Sequence, residues 1–141
     1  MNETDPFSHF LLAQAGVYEQ VLSELSRGRK SSHWMWFTFP QLKGLGRSDT
    51  SRRYALDSVE DARRYLHHPV LGARLLQCCR LLLALPINDP VAIFGSIDAV
   101  KLRSSMTLFA LASPDMDCFR EILGRFFRGE PDPLTLEMTA S

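Results

Sequence analysis

The side chains best suited to chemistry lie in residues 28–50. The segment reads Gly28-Arg29-Lys30-Ser31-Ser32-His33-Trp34-Met35-Trp36-Phe37-Thr38-Phe39-Pro40-Gln41-Leu42-Lys43-Gly44-Leu45-Gly46-Arg47-Ser48-Asp49-Thr50 and holds both tryptophans of the chain. No acidic residue occurs from Ser26 to Ser48, whereas Arg27, Arg29, Lys30, Lys43 and Arg47 do. Cations interleaved with aromatic rings suit a phosphorylated, ring-bearing ligand: Lys and Arg neutralise phosphate, and Trp or Phe faces stack on a base. Gly44 and Gly46 allow backbone amides to approach an anion. Ser32, His33, Gln41 and Ser48 add hydrogen-bonding groups. The competing expectation is that the aromatics fill the core and the cations form a solvated rim.

A second stretch, Asp98-Ala99-Val100-Lys101-Leu102-Arg103-Ser104-Ser105-Met106-Thr107-Leu108-Phe109, carries polar groups beside an apolar stripe. Leu102, Met106 and Phe109 form that stripe. Lys101 and Ser105 stand one helical turn apart, as do Arg103 and Thr107. Such a band either lines an anion pocket or is an exposed basic face moderated by Asp98. If the two stretches converge, Lys30, Arg47, Lys101 and Arg103 hold phosphates, Trp34 and Trp36 stack on a ring, and His33, Ser104 and Tyr54 supply hydrogen bonds. Lys30→Ala and Arg103→Ala would then weaken binding with little loss of stability, both being expected near the surface.

His33 is the residue type suited to general acid–base work, because imidazole changes charge near neutral pH. Beyond it, no catalytic residue, cofactor or metal site is assigned. The chain has no nucleophile elbow, P-loop, Rossmann glycine fingerprint or Cys/His metal spacing. Glu19, Glu24, Asp57, Glu60 and Asp61 carry no distinctive spacing.

The elements that must position these groups are read from proline and glycine. Five pairs mark helix starts: Asp5-Pro6, His68-Pro69, Asp89-Pro90, Ser113-Pro114 and Asp132-Pro133. Proline fits the first helical position, and a preceding Asp or Ser accepts from the free N–H groups of the first turn. One helix is expected over residues 6–27, with Phe7, Phe10, Leu11, Gln14, Val17, Tyr18, Val21, Leu22 and Leu25 at helical spacing. Gly28 closes it. Gln14 and Tyr18 on its stripe are either satisfied core groups or groups lining a site. A second helix spans 58–66, opened by the capping-box pattern Asp57-Ser58-Val59-Glu60 with Asp57 as cap. A third spans 69–85, a single turn 90–94 is closed by Gly95, and a fourth helix capped by Ser96 runs to 112. A fifth spans 114–128, and a tail helix begins at Pro133. The connection over 28–50 is long for a helical bundle, and a short strand or helical turn fits within it. In a strand, His33, Met35, Phe37 and Phe39 would share one face. The fold class is all-α: one multi-helix domain over residues 1–141, with a long irregular aromatic and basic loop after the first helix.

Composition bounds the partners. The 141 residues are 45% hydrophobic and 23% charged, an ordinary globular balance that excludes collagen, coiled coil and disulfide miniproteins. Sixteen Lys and Arg balance sixteen Asp and Glu, so no global field draws the chain to nucleic acid or an anionic membrane. Cys78, Cys79 and Cys118 make a poor disulfide framework and fit small buried hydrophobes in a reducing, cytoplasmic setting. Met1 to Asp5 shows no signal-peptide pattern. The most apolar window, 70–85, contains Arg74, Gln77 and Arg80 and is too short to span a bilayer.

Several runs together resemble one bacterial family. They are Gln14-Ala15, Val17-Tyr18-Glu19, Gly28-Arg29-Lys30, Ser32-His33-Trp34-Met35-Trp36-Phe37, Phe39-Pro40-Gln41-Leu42, Gly44-Leu45-Gly46, Tyr54-Ala55, His68-Pro69-Val70-Leu71-Gly72, Ile93-Phe94-Gly95 and Lys101-Leu102-Arg103-Ser104-Ser105-Met106-Thr107-Leu108-Phe109. That family comprises domains of unknown function often labelled calpastatin. The resemblance covers roughly residues 7–136 and implies a small, mostly helical bacterial cytosolic protein without an established activity. The label is at odds with the composition, because the calpain inhibitor of that name is a disordered repeat protein. A more distant resemblance, in the order of elements, is to the NADAR superfamily, linked to ADP-ribose chemistry and N-glycosidic bond cleavage. That superfamily carries a Glu before the aromatic residue of its middle segment, where this chain has Ser51-Arg52-Arg53-Tyr54. The resemblance therefore implies a ribosyl phosphate ligand more directly than a hydrolase.

The expected function is binding of a phosphorylated nucleotide-like or ADP-ribose-like small molecule, with N-glycosidic hydrolysis as the reaction if there is one. The alternative is a protein–protein interaction module presenting Trp34 and Trp36 as exposed anchors.

Overall fold

The sequence punctuation translates directly into helix caps. In a computed structural model, which describes residues 5–140, the chain forms α1 (Ser8–Ala15), α2 (Tyr18–Arg27), α3 (Met35–Thr38), α4 (Asp49–Arg53), α5 (Val59–His67), α6 (Leu71–Ala84), α7 (Pro90–Ala112), α8 (Cys118–Phe127) and α9 (Pro133–Thr139). Among the described residues, strand pairing is limited to one parallel bridge between Leu42 and Leu56. The domain is all-α.

Asp89 accepts from the Val91 N–H and Asp132 from the Thr135 N–H, the N-cap geometry expected before Pro90 and Pro133. The Asp5 carboxylate likewise accepts from the Phe7 N–H. His68 performs the same task unexpectedly: its Nδ1 accepts from the N–H groups of Val70 and Leu71, both at 3.2 Å. At α5 the cap is Ser58 rather than Asp57, and its hydroxyl accepts from the Asp61 N–H. The capping pattern was displaced by one residue because Ser and Asp are equally good N-caps there.

Two of the expected helices differ in their boundaries. The single helix over 6–27 is two helices, because Val17 leaves helical geometry at φ −130° after Gly16. A glycine followed by a β-branched residue is the weakest point of that helix. Helix α8 begins at Cys118 instead of Pro114; Pro114 sits in a turn closed by the Met116 N–H and the Ser113 carbonyl. Within 28–50 the aromatic run forms the helical turn α3, which is one of the two local structures expected there, and not the strand. Gly95 breaks α7 at φ 81°, where the single turn was expected to close.

The second half of α7 is the centre of the core. Leu102, Met106, Leu108 and Phe109 are fully enclosed, with Leu75, Cys79 and Leu82 of α6, Tyr65 of α5 and Phe119 and Ile122 of α8 in the same core. A helix with buried residues on most of its sides must be covered on most of them, and α5, α8 and α9 all pack on α7. Helix α6 packs on α5, α8 and α2. The α5–α6 corner is the tightest point. A Cβ at Gly72 would stand 2.0 Å from the Leu66 carbonyl oxygen, a contact only backbone movement could relieve.

Gly72→Ala should therefore lower stability by about 2–3 kcal/mol in urea unfolding. Gly124→Ala is the control. It lies in α8 with nothing within 4 Å of its absent Cβ, and the change should raise stability by roughly 0.5–1 kcal/mol.

Candidate functional site

Helix α2 ends where Gly28 adopts the left-handed conformation at φ 72°, which turns the chain back across the helix end. The Lys30 N–H then bonds the Ile93 carbonyl at 2.8 Å, tying this loop to the start of α7. The returning segment closes over Glu24, a carboxylate with no solvent exposure. Glu24 accepts from the N–H groups of Ser31 (2.6 Å) and Ser32 (2.9 Å), from Trp34 Nε1 (2.9 Å), from Gln20 Nε2 (2.7 Å) and from the Ser32 hydroxyl. Burial by itself would push this carboxyl's pKa up; the hydrogen bonds from Ser32, Ser31, Gln20 and Trp34 together outweigh it and hold the group far below the usual carboxylate range.

From that buried charge a chain of polar contacts runs outward. Lys30 Nζ lies 5.1 Å from the Trp34 ring centroid, donates to the Ser32 carbonyl at 2.6 Å and pairs with Asp98 at 2.8 Å. Asp98 also holds Lys101 at 3.0 Å, and the Lys101 ammonium sits 3.7 Å from the Trp36 ring centroid. Burial raises the Asp98 pKa, but the hydrogen bonds and charges of Lys30 and Lys101 win and keep it low. Two ammonium groups share one carboxylate, so the triad carries one positive charge in excess.

At the outer end is a cleft of about 370 Å³. Trp36, Gln41, Leu45 and Gly46 line it from the loop, and Ser96, Ile97, Val100 and Lys101 from α7. Helix α4 supports this wall. Ser48 caps it by accepting from the Ser51 N–H, and the Gly46 backbone packs against the Ser51 side chain.

The residues singled out in the sequence thus fall into separate groups. Trp36, Gln41 and Lys101 meet at the cleft. Lys30, Ser32 and Trp34 lie behind it as internal structure, with Trp34 only 1% exposed. Lys30 is not a surface residue, so removing it strips Asp98 of a partner and costs stability, contrary to the sequence expectation. Arg103 faces away: its Nε donates to the Glu130 carbonyl at 2.9 Å. Ser104 is buried, its hydroxyl donating to the Val100 carbonyl. Ser105 and Thr107 are buried too, so of the polar band of α7 Lys101 alone reaches the cleft. His33, Arg47 and Ser48 are exposed. Tyr54 belongs to an aromatic group with His9, Phe10 and Phe37. Gln14 and Tyr18 are satisfied within the fold. Gln14 bonds the Phe37 carbonyl, Tyr65 and Arg74, and Tyr18 bonds Gln77.

A larger, shallow groove of about 650 Å³ includes Asp5, Arg64, His67 and His68. Both His68 nitrogens are already used, Nδ1 in capping α6 and Nε2 on Asp5 at 3.0 Å, which leaves the groove without a free imidazole from His68. Among the described residues no cluster of three His, Cys, Asp or Glu side chains could hold a metal ion, and no helix is long and apolar enough to cross a membrane.

Sequence reasoning missed Glu24 and undervalued Asp98. A signal for Glu24 existed: it stands three residues after Val21 and next to Leu25, on the inward stripe, just ahead of a stretch without acids.

The model of a family described as "Protein of unknown function (DUF1810)" matches residues 5–139. The crystal structure of the conserved hypothetical protein Rv1873 from Mycobacterium tuberculosis is similar, with 45% sequence identity and a TM-score of 0.95 over 97% of this chain and 99% of that one. No curated protein matches the chain.

Glu24→Gln should cost about 3 kcal/mol at neutral pH, because an amide cannot replace a carboxylate that only accepts. The folded-state pKa of Glu24 lies below its unfolded value of about 4.3. Its contribution is therefore complete above that pH and lost as the pH falls toward the folded value. Urea unfolding of the two proteins should show the gap narrowing between about pH 7 and about pH 3. A gap that stays constant would mean that the ionised Glu24 is not its source.

Proposed function

Because the chain belongs to the DUF1810 family of proteins of unknown function, we propose from its own geometry that it binds a small anionic, ring-bearing molecule of nucleotide-like chemistry in the cleft between α3 and α7. The observation that carries this is the position of Lys101. Its ammonium lies between the Asp98 carboxylate and the Trp36 face at the mouth of the cleft. The excess positive charge of the Lys30–Asp98–Lys101 triad favours an anion there, and Trp36 offers a surface for a ring. Gln41 and Ser96 add an amide and a hydroxyl to a mostly apolar lining. A volume of about 370 Å³ suits a ligand of mononucleotide or ribose phosphate size.

Binding fits this arrangement better than N-glycosidic hydrolysis. The carboxylate nearest the cleft is Asp98, held ionised by two lysines and thus poorly placed to donate a proton to a leaving group. A second reading rests on Ile97 and Val100, 73% and 59% exposed beside Trp36. These would serve as anchors if the cleft receives a protein partner.

A thermal-shift series with AMP, ADP-ribose, NAD, ribose 5-phosphate and inorganic phosphate tests the small-molecule reading. A ligand at about 100 times its Kd stabilises the fold by about 2.7 kcal/mol, a shift of several degrees for a domain of this size. The expected result is a shift with the ring-bearing phosphates that is lost in Trp36→Ala and Gln41→Ala and kept in Arg103→Ala. Absence of a shift with every probe overturns the small-molecule reading in favour of the protein-partner surface.

A further inference from the structure

Apart from the α3–α7 cleft, a cavity of about 260 Å³ lies between the start of α1, the end of α4 and the start of α5. Its charges are sorted by element. Arg52 and Arg53, the last two residues of α4, line one side, and Asp57 and Asp61, before and within the first turn of α5, line the other. The two signs do not neutralise each other: among the described residues no salt bridge joins either arginine to either aspartate. Arg52 pairs instead with Asp49 at 3.7 Å, and Asp61 with Arg64 at 2.6 Å through Oδ1 alone. Asp57 reaches only Lys43, at 3.9 Å, with both side chains largely in water. Arg53 pairs with no carboxylate among the described residues, and its guanidinium lies 5.7 Å from the Tyr54 ring centroid.

The backbone fixes the gap between Arg53 and Asp57. The Tyr54 N–H bonds the Thr50 carbonyl at 3.3 Å, the Leu56 N–H bonds the Gln41 carbonyl at 2.9 Å, and the Leu56 carbonyl accepts from the Lys43 N–H at 2.8 Å. Ser58 then caps α5. Helix α1 and the residue before it supply an apolar floor: Phe7 and Phe10 are buried, and the Phe10 and Tyr54 ring centroids are 5.7 Å apart. The His9 ring stacks on Tyr54 at 5.9 Å with 18° between the planes. Burial, aided by the Arg53 charge, lowers the His9 pKa, so the imidazole is neutral at neutral pH and adds a hydrogen-bonding group without changing the charge balance.

We propose that this cavity binds a small zwitterion bearing a carboxylate and an ammonium group, as a free amino acid does. The Arg53 guanidinium receives the carboxylate through its paired N–H donors. Asp57, with the unengaged oxygen of Asp61, receives the ammonium. A simple anion attracted to Arg53 faces two carboxylates, and a simple cation attracted to the aspartates faces two guanidinium groups. A molecule carrying both charges satisfies both walls at once. The volume is below the range of about 300–1,000 Å³ typical of drug-sized ligands, and the floor of Phe7 and Phe10 suits a short apolar side chain. This site is independent of the nucleotide-like ligand proposed for the α3–α7 cleft.

The test is an amide NMR titration of the full-length protein with L-alanine and L-leucine, and in parallel with acetate, methylamine and inorganic phosphate at the same ionic strength. The expected result is saturable shifts of the amides of residues 52–57 and of the His9 ring with an amino acid, and none with the singly functional ions. Arg53→Gln and Asp57→Asn should each weaken binding about tenfold or more. Both side chains are exposed, so the remaining amide spectrum should report an intact fold. Trp36→Ala, on the other cleft, should leave the titration unchanged. Equal saturation by acetate or phosphate would overturn the inference in favour of a plain anion site. So would the absence of saturable shifts with both amino acids, or binding that survives both substitutions.

Discussion

A carboxylate sealed from water must be surrounded by donors, and a chain that buries one is obliged to bring them there. Glu24 imposes that requirement on this fold. Two of its donors are the backbone amides of Ser31 and Ser32 and a third is the indole of Trp34, so the loop after α2 has one way to lie. Once it does, Trp34 fills the core, Lys30 is delivered to Asp98, and the short turn α3 is carried to the flank of α7. The cleft owes its outer wall to this sequence of constraints. Without the internal anion, a loop of this length would have many arrangements and no reason to prefer the one that aligns Trp36 with Lys101.

The helices were legible because their ends are written in residues with a local mechanism. Asp89 and Asp132 act within two or three residues of themselves, and Gly28 and Gly95 act through their own φ. Where the mechanism is tertiary, sequence reasoning lost resolution. Nothing local distinguishes Pro114, which turns, from Pro90, which starts a helix. Gly16 and Val17 are a locally weak point, but the apolar stripe continues across them and hides the break. His68 was overlooked as a cap because a neutral imidazole is a rarer acceptor than a carboxylate.

The site was legible as a region and not as a set. Clustering of cations and rings over 28–50 pointed to the right loop, but composition cannot say which member of an alternating run faces inward. Trp34 and Trp36 have the same side chain and near-identical neighbours, yet a helical turn sends one into the core and leaves the other at the cleft. Arg103 and Ser104 were grouped with Lys101 by helical spacing. The spacing was correct, but α7 is covered on nearly every side, so residues two or three positions from Lys101 meet different neighbours. Asp98 counted in the sequence as a dilution of positive charge, and in three dimensions it is the hub that joins the loop to α7.

The unequal placement of the two tryptophans gives the protein a built-in optical readout. One indole is enclosed and hydrogen-bonded to a buried carboxylate; the other is half-buried on the cleft, under an ammonium group. Collisional quenchers distinguish such environments, so the accessible fraction of fluorescence reports on the outer wall and the protected fraction on the integrity of the core. Anything that occupies the cleft and anything that loosens the fold would thus change different parts of one emission spectrum, with no label attached.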